Sequence, residues 1–109
     1  MAEDRLSMVF AALADPTRRA IIARLAEGDA TVTELAQPFS ISLPAISRHL
    51  KVLEEAGVVT RVIDGRTHRL ALQPEALAEA SDWIESQRAR WERLFDVVGE
   101  YLEERKGRP

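Results

Sequence analysis

Apolar positions along this chain change period from about 3.6 to 2 and back again, and the two switches divide it into elements. Leu6, Val9, Phe10 and Leu13 recur at i, i+3, i+4 and i+7, predicting a first helix over residues 3–13 with acids in its opening turn. Asp15-Pro16 ends it and starts a second, with Asp15 as N-cap and Pro16 as first helical residue; Ile21, Ile22 and Leu25 are its buried face. A short third helix follows, capped by Thr33, with Leu35 and Ala36 inward and Pro38 limiting it to about one and a half turns. Phe39 and Ile41 fill the turn after it. The fourth helix is the most fully specified: Ser42 as N-cap, Pro44 in the first turn, Leu43, Ile46, Leu50 and Leu53 as apolar stripe, and Gly57 as C′ residue.

From Val58 to Leu72 the alternation is strand-like, interrupted by Asp64-Gly65, a hairpin turn signal. A lone two-stranded ribbon is marginal, so Leu70 and Leu72 are expected to anchor it on the helices. Gln73-Pro74 opens a last helix of some 28–30 residues. Leu77, Ile84, Trp91 and Val98 lie seven apart, and Ala80, Gln87, Leu94 and Tyr101 occupy a second heptad position, with Trp83 and Phe95 widening the seam. A helix this long overhangs a 109-residue domain, so a second copy of the chain is expected to cover its stripe. The tail from Glu103 is expected to fray.

The fold class is therefore mainly α: a winged helix-turn-helix of five helices and a two-stranded β wing, in the order four helices, two strands, one helix. It occupies a single domain, 1–109. Within it, 74–102 is an expected dimerisation helix, and 16–72 is the expected DNA-binding core with its wing at 58–72.

Charge alters this picture in one place. The net charge of −3 argues against nucleic acid, but its distribution does not. Residues 41–72 carry five Lys/Arg (Arg48, Lys51, Arg61, Arg66, Arg69) against three acids, a local +2; the other 77 carry ten against fifteen, a local −5. A basic patch on an acidic body suits DNA, because the field at the contact face outweighs the total. Cysteine is absent, excluding disulfides and thiolate metal sites, and the two histidines, His49 and His68, are 19 residues apart. No run of about 18 apolar residues spans a membrane and no leader-like segment opens the chain, so a cytoplasmic location is expected. No activated nucleophile, spaced carboxylate pair or Gly-rich phosphate loop supports catalysis. The chain reads as a binding protein, not an enzyme, with no cofactor.

The expected DNA-binding residues are Ser42, Pro44, Ala45, Ser47, Arg48 and Lys51 on the fourth helix, Thr33 at the start of the third, and Arg66 at the wing tip. Arg48 has the fork for guanine O6/N7, Ser47 and Ala45 suit base edges or thymine methyls, and Lys51 suits a phosphate. Arg61, Thr67 and Arg69 are further candidates for backbone contacts. Trp83, Ile84, Trp91, Leu94 and Val98 form the expected dimer interface on the last helix. His49 reads as a satisfied, partly buried histidine and His68 as structural or near DNA. Arg18 and Arg19 follow a helix start, where they either meet phosphate or pair with acids such as Asp15.

Leu13-Ala-Asp-Pro-Thr-Arg-Arg-Ala-Ile-Ile22, Thr33-Glu-Leu-Ala36, the whole of Ser42–Gly57 and Asp64-Gly-Arg66 together resemble the ArsR family of bacterial winged-helix repressors, over about residues 5–102. The resemblance implies a homodimer joined through its first and last helices, 3–14 and 74–102, with Leu6, Val9, Phe10 and Leu13 of the first in the interface, on a palindromic operator of double-stranded DNA. Many such repressors release DNA on binding a metal. Here the segment Glu34–Phe39, where that branch carries a cysteine pair, has none, and no histidine lies beyond His68. Trp83-Ile84 and Trp91–Asp96 are more similar to a metal-independent, autorepressor-like subgroup, whose inducer here is unknown. Two alternatives stand beside this reading: a winged-helix protein-interaction module, and a repressor responding to a small molecule between the tryptophans or to a metal held by carboxylates such as Asp82, Glu85 and Glu92.

Overall fold

The computed structural model describes residues 4–106. Helix α1 (Arg5–Leu13) is capped by Asp4, whose carboxylate accepts from the Leu6 N–H at 3.0 Å and the Ser7 hydroxyl at 2.9 Å. The helix thus starts after its acid instead of enclosing it; Glu3, the expected first residue, lies outside the described residues. Helix α2 (Pro16–Leu25) begins as expected, with the Asp15 carboxylate accepting from the Arg18 N–H at 3.0 Å.

The turn into the third helix differs from expectation. Ala30–Thr31 forms a short strand, β1, and Thr31, not Thr33, caps α3 (Val32–Ala36). The reason is a capping box. The Glu34 N–H donates to Thr31 Oγ1 at 3.2 Å, and the Thr31 N–H donates to Glu34 Oε1 at 3.0 Å, satisfying two groups at once. Only the threonine at 31 has an acid three residues on.

Helix α4 (Leu43–Glu55) has the expected cap, Ser42 Oγ accepting from the Ala45 N–H at 3.3 Å. It ends in a Schellman motif: Gly57 takes φ +77°, its N–H donates to the Glu54 carbonyl at 3.0 Å, and the Val58 N–H donates to the Leu53 carbonyl at 2.9 Å. Leu53 and Val58, which meet across that motif, are both fully buried. Ile46 and Leu50 join them in the core, but Leu43 is 53% exposed and Ile41 41% exposed, so the stripe begins one turn later than the pattern implies.

Strands β2 (Val59–Asp64) and β3 (Thr67–Leu72) pair antiparallel with Val59 opposite Leu72 and Asp64 opposite Thr67. Gly65 has φ +62° and Arg66 does not share it, as expected for a two-residue turn with glycine first. The ribbon is not alone. Strand β1 pairs on the other side of β3, Ala30 opposite Leu70, giving a three-stranded sheet in the order β1-β3-β2. Ala30 and Leu70 are both completely buried where these strands pair, so the hairpin is anchored on the core at that point.

Helix α5 runs from Pro74 to Lys106, 33 residues, with Arg105 and Lys106 in its last turn, where they suit the dipole. It continues past 102, so Glu103 to Lys106, expected to fray, are helical. Its first two turns bury Ala76 and Ala80 in the common core, Arg5 of α1 reaches Glu79 at 3.9 Å, and Phe10 meets Trp83 edge-on at 5.7 Å. From Glu92 to Lys106 every residue is exposed. The molecule measures 77 × 34 × 24 Å with a radius of gyration of 20.3 Å, against about 13 Å for a compact chain of this length. The projecting helix accounts for that difference.

Candidate nucleic-acid interface

Three elements converge on one face: the N-terminus of α3, the outer side of α4 and the wing. Between them lies an open groove of about 410 Å³ whose walls include Thr31, Thr33, Ser47 and Thr67 with Arg61 and Arg66. Thr33, Ser47 and Arg66, widely separated in sequence, are thereby brought together. Ser42 spends its hydroxyl on the helix cap, Pro44 is exposed in the first turn and Ala45 is half-buried. Ser47, Arg48 and Lys51 are exposed along the rest of the face, and among the described residues Arg48 and Lys51 make no ion pair or side-chain hydrogen bond. Their charges are uncommitted.

Arg61 is different. Its guanidinium forks onto Glu54 at 2.7 and 3.3 Å and lies 2.9 Å from His68 Nδ1, with the pair largely screened from solvent. It fastens the inner face of the wing to the end of α4, so its charge is internally neutralised. Among the described residues, the cations of α4 and the wing tip left without an ion pair are Arg48, Lys51 and Arg66, fewer than the five that the sequence count suggests. His68 is accordingly structural, beside Arg61 and on the strand face of Leu70.

Arg18 and Arg19 follow neither expected course. Arg18 Nε donates to the Ala12 carbonyl at 2.7 Å and Nη2 to the Ala11 carbonyl at 3.0 Å; Arg19 Nη1 donates to the Leu13 carbonyl at 2.7 Å. Together they cap the C-terminus of α1, where orphan carbonyls and the negative dipole end favour cations. The remaining Arg18 nitrogen lies 3.3 Å from His49 Nδ1, and Asp15 Oδ2 lies 3.8 Å from the same atom. One guanidinium thus ties α1 to the helix that carries Arg48, and His49 is partly buried and satisfied as expected. The Arg18 N–H donated to Asp15 is the main reason its carboxyl lies below the ordinary aspartate range.

The second surface is apolar. On α5, Trp83, Ile84, Trp91, Leu94, Phe95, Val98, Tyr101 and Leu102 are each between 45% and 64% exposed. The Trp91 and Phe95 rings lie beside each other, tilted by 32° with centroids 6.0 Å apart, and a shallow hollow of about 280 Å³ lies beside Trp91 and Leu94. Of the α1 residues expected here, Leu6, Phe10 and Leu13 are half-buried and retain exposed edges, whereas Val9 is fully buried in the chain's own core. On the same helix, beside the stripe, Arg88 is paired with both Glu85 and Glu92, which holds the Glu85 carboxyl below its usual range. These two carboxylates are therefore already engaged by a cation.

Residues 13–62 match the family model described as a helix-turn-helix domain. The chain is 37% identical to the transcriptional repressor SdpR of Bacillus subtilis (strain 168) over 79 residues, covering 72% of this chain and 88% of that protein. Among solved structures it is similar to an ArsR family transcriptional regulator at a TM-score of 0.78 and 40% identity, covering 82% of this chain and 98% of that one. It is also similar to an ArsR-like transcriptional regulator from Rhodococcus sp. RHA1 at 0.77 and 32%, covering 89% and 92%.

Proposed function

Because the chain belongs to the ArsR family of winged helix-turn-helix transcriptional regulators, which are sequence-specific DNA-binding proteins and not enzymes, we propose that it acts as a homodimeric repressor on a palindromic operator. The observation that carries this reading is the pairing of two unmatched surfaces in one chain: an uncommitted basic face on α4 and the wing, and an uncovered apolar stripe on α5. A two-fold axis along the stripe buries the second and duplicates the first. Leu6, Phe10 and Leu13 of α1 with Trp83, Ile84, Trp91, Leu94 and Val98 of α5 then form the interface, and Val9 supports them from beneath.

Each α4 enters a major groove, the two copies about 34 Å apart on successive turns of one side of the duplex. Arg48 reads a guanine edge, Ser47 and Ala45 meet neighbouring bases, and Lys51 neutralises a phosphate. Arg66 follows the backbone or minor groove from the wing tip, and Thr33 with the opening turn of α3 meets a phosphate beside Ser47. Occupying a promoter, the dimer excludes polymerase; as a regulator of bacterial DNA it works in the cytoplasm. Among the described residues no helix is long and apolar enough to cross a membrane.

We place it with the metal-independent members. The chain has no cysteine, Glu34–Phe39 offers no soft donor, and the acids at 85 and 92 share an arginine. Fluorescence-anisotropy titration against the DNA upstream of its own gene tests both parts. Expected are sequence-preferring, salt-sensitive binding there and the same affinity with zinc or after chelation. No preference for that DNA over an unrelated duplex would remove the operator; a zinc-dependent release would remove the metal-independent assignment.

A further inference from the structure

Leu43 is half exposed at the first position of α4, although its spacing from Ile46 and Leu50 marks it for the core. It plays no part in the cap, which Ser42 supplies through the Ala45 N–H. By helical geometry Leu43, Ser47 and Lys51 form one i, i+4 row, flanked by the row of Pro44 and Arg48. A surface that meets Ser47 and Arg48 therefore also meets Leu43, one turn nearer the helix tip. Ile41, 41% exposed, extends the apolar spot just before the cap.

Base edges in the major groove present mainly donors and acceptors, and the one methyl group among them is at C5 of thymine. A leucine pressed on a polar edge strips its water and returns no hydrogen bond, which is unfavourable. Pressed on a methyl group it loses nothing and buries apolar surface on both sides. We propose that Leu43, with Ile41 behind it, reads the 5-methyl group of a thymine in each half-site, making it a specificity-determining residue of this regulator. The inference rests on α4 facing DNA as set out above.

The test uses a duplex selected by the wild-type chain from a randomised pool, then remade with deoxyuridine replacing each thymidine pair of the two half-sites in turn. Loss of one methyl contact per half-site is expected to weaken binding about fourfold for each copy at the position that Leu43 covers. Leu43→Ala is expected to bind the thymine and uracil duplexes equally, with an unchanged far-ultraviolet spectrum and salt slope, because no core contact and no phosphate contact is removed. Placing 5-methylcytosine against cytosine at that position is expected to favour the methylated base for the wild type and not for Leu43→Ala. Absence of any methyl-sensitive position, or a methyl penalty undiminished in Leu43→Ala, would overturn the inference while leaving operator binding intact. Failure of the wild type to select any duplex sequence would remove both.

Discussion

Trp91 lies near the middle of the exposed α5 stripe, and replacing it by alanine asks directly whether that stripe is an interface. A tryptophan buries up to about 250 Å² when fully covered. At 55% exposure in the isolated chain, more than half of its surface waits for a partner; taking about 100 Å² as newly buried gives about 2.5 kcal/mol per protomer at about 25 cal/mol/Å². A two-fold interface counts the residue twice. Discounting for what alanine retains, Trp91→Ala is expected to weaken the dimer by about 4 kcal/mol, or roughly a thousandfold in dissociation constant. Sedimentation equilibrium over a broad concentration range measures this. Arg93→Ala, 200° round the same helix, is the control and is expected to leave dimerisation unchanged. Operator affinity is expected to fall with dimer affinity in Trp91→Ala, since each monomer retains only one reading head. A Trp91→Ala chain that dimerises within a few-fold of the wild type, or a wild type monomeric throughout the micromolar range, would refute the argument from the stripe.

Arg48→Ala is expected to cost about 1–3 kcal/mol of discrimination at one base pair per half-site while the sedimentation of the free protein stays that of a dimer; parallel anisotropy titrations on matched and mismatched duplexes check it. Arg18→Met keeps the aliphatic stem but abandons two carbonyls at the end of α1, so urea unfolding is expected to show a loss of about 2 kcal/mol, with melting roughly 10 °C lower. The Asp15 carboxyl is held below its unfolded value of 3.8, so its contribution is complete above that value and disappears as pH falls through the lower folded one. The stability gap between wild type and Asp15→Ala is therefore expected to be constant from neutrality to about pH 5 and to narrow under stronger acid, as chemical denaturation at a series of pH values reads out.

Read alone, the residues determined a great deal: five helices, the Asp64-Gly65 turn, the Ser42 and Asp15 caps, the Gly57 stop and an apolar stripe on α5 too long for its own domain. Those features are local, written in spacing and in a few side chains that satisfy backbone groups within one turn. What needed the tertiary structure was everything decided by a partner distant in sequence. Strand β1 is only two residues long, so it has no periodicity, and it exists because β3 offers it an edge. The choice of Thr31 over Thr33 was legible in the threonine-to-glutamate spacing, but that spacing matters only once the strand sets where the helix begins. Arg61 and Arg66 are identical as letters, yet one is spent on Glu54 and the other stands free at a turn, a difference made by the packing of the wing on α4. Arg18 and Arg19 look misplaced at a helix start until α1 brings its carbonyl end against them. Leu43 shares the spacing of a core residue but precedes the point where α4 meets the body. Helical period assigns a residue to a side; only the arrangement of neighbouring elements decides whether that side is covered.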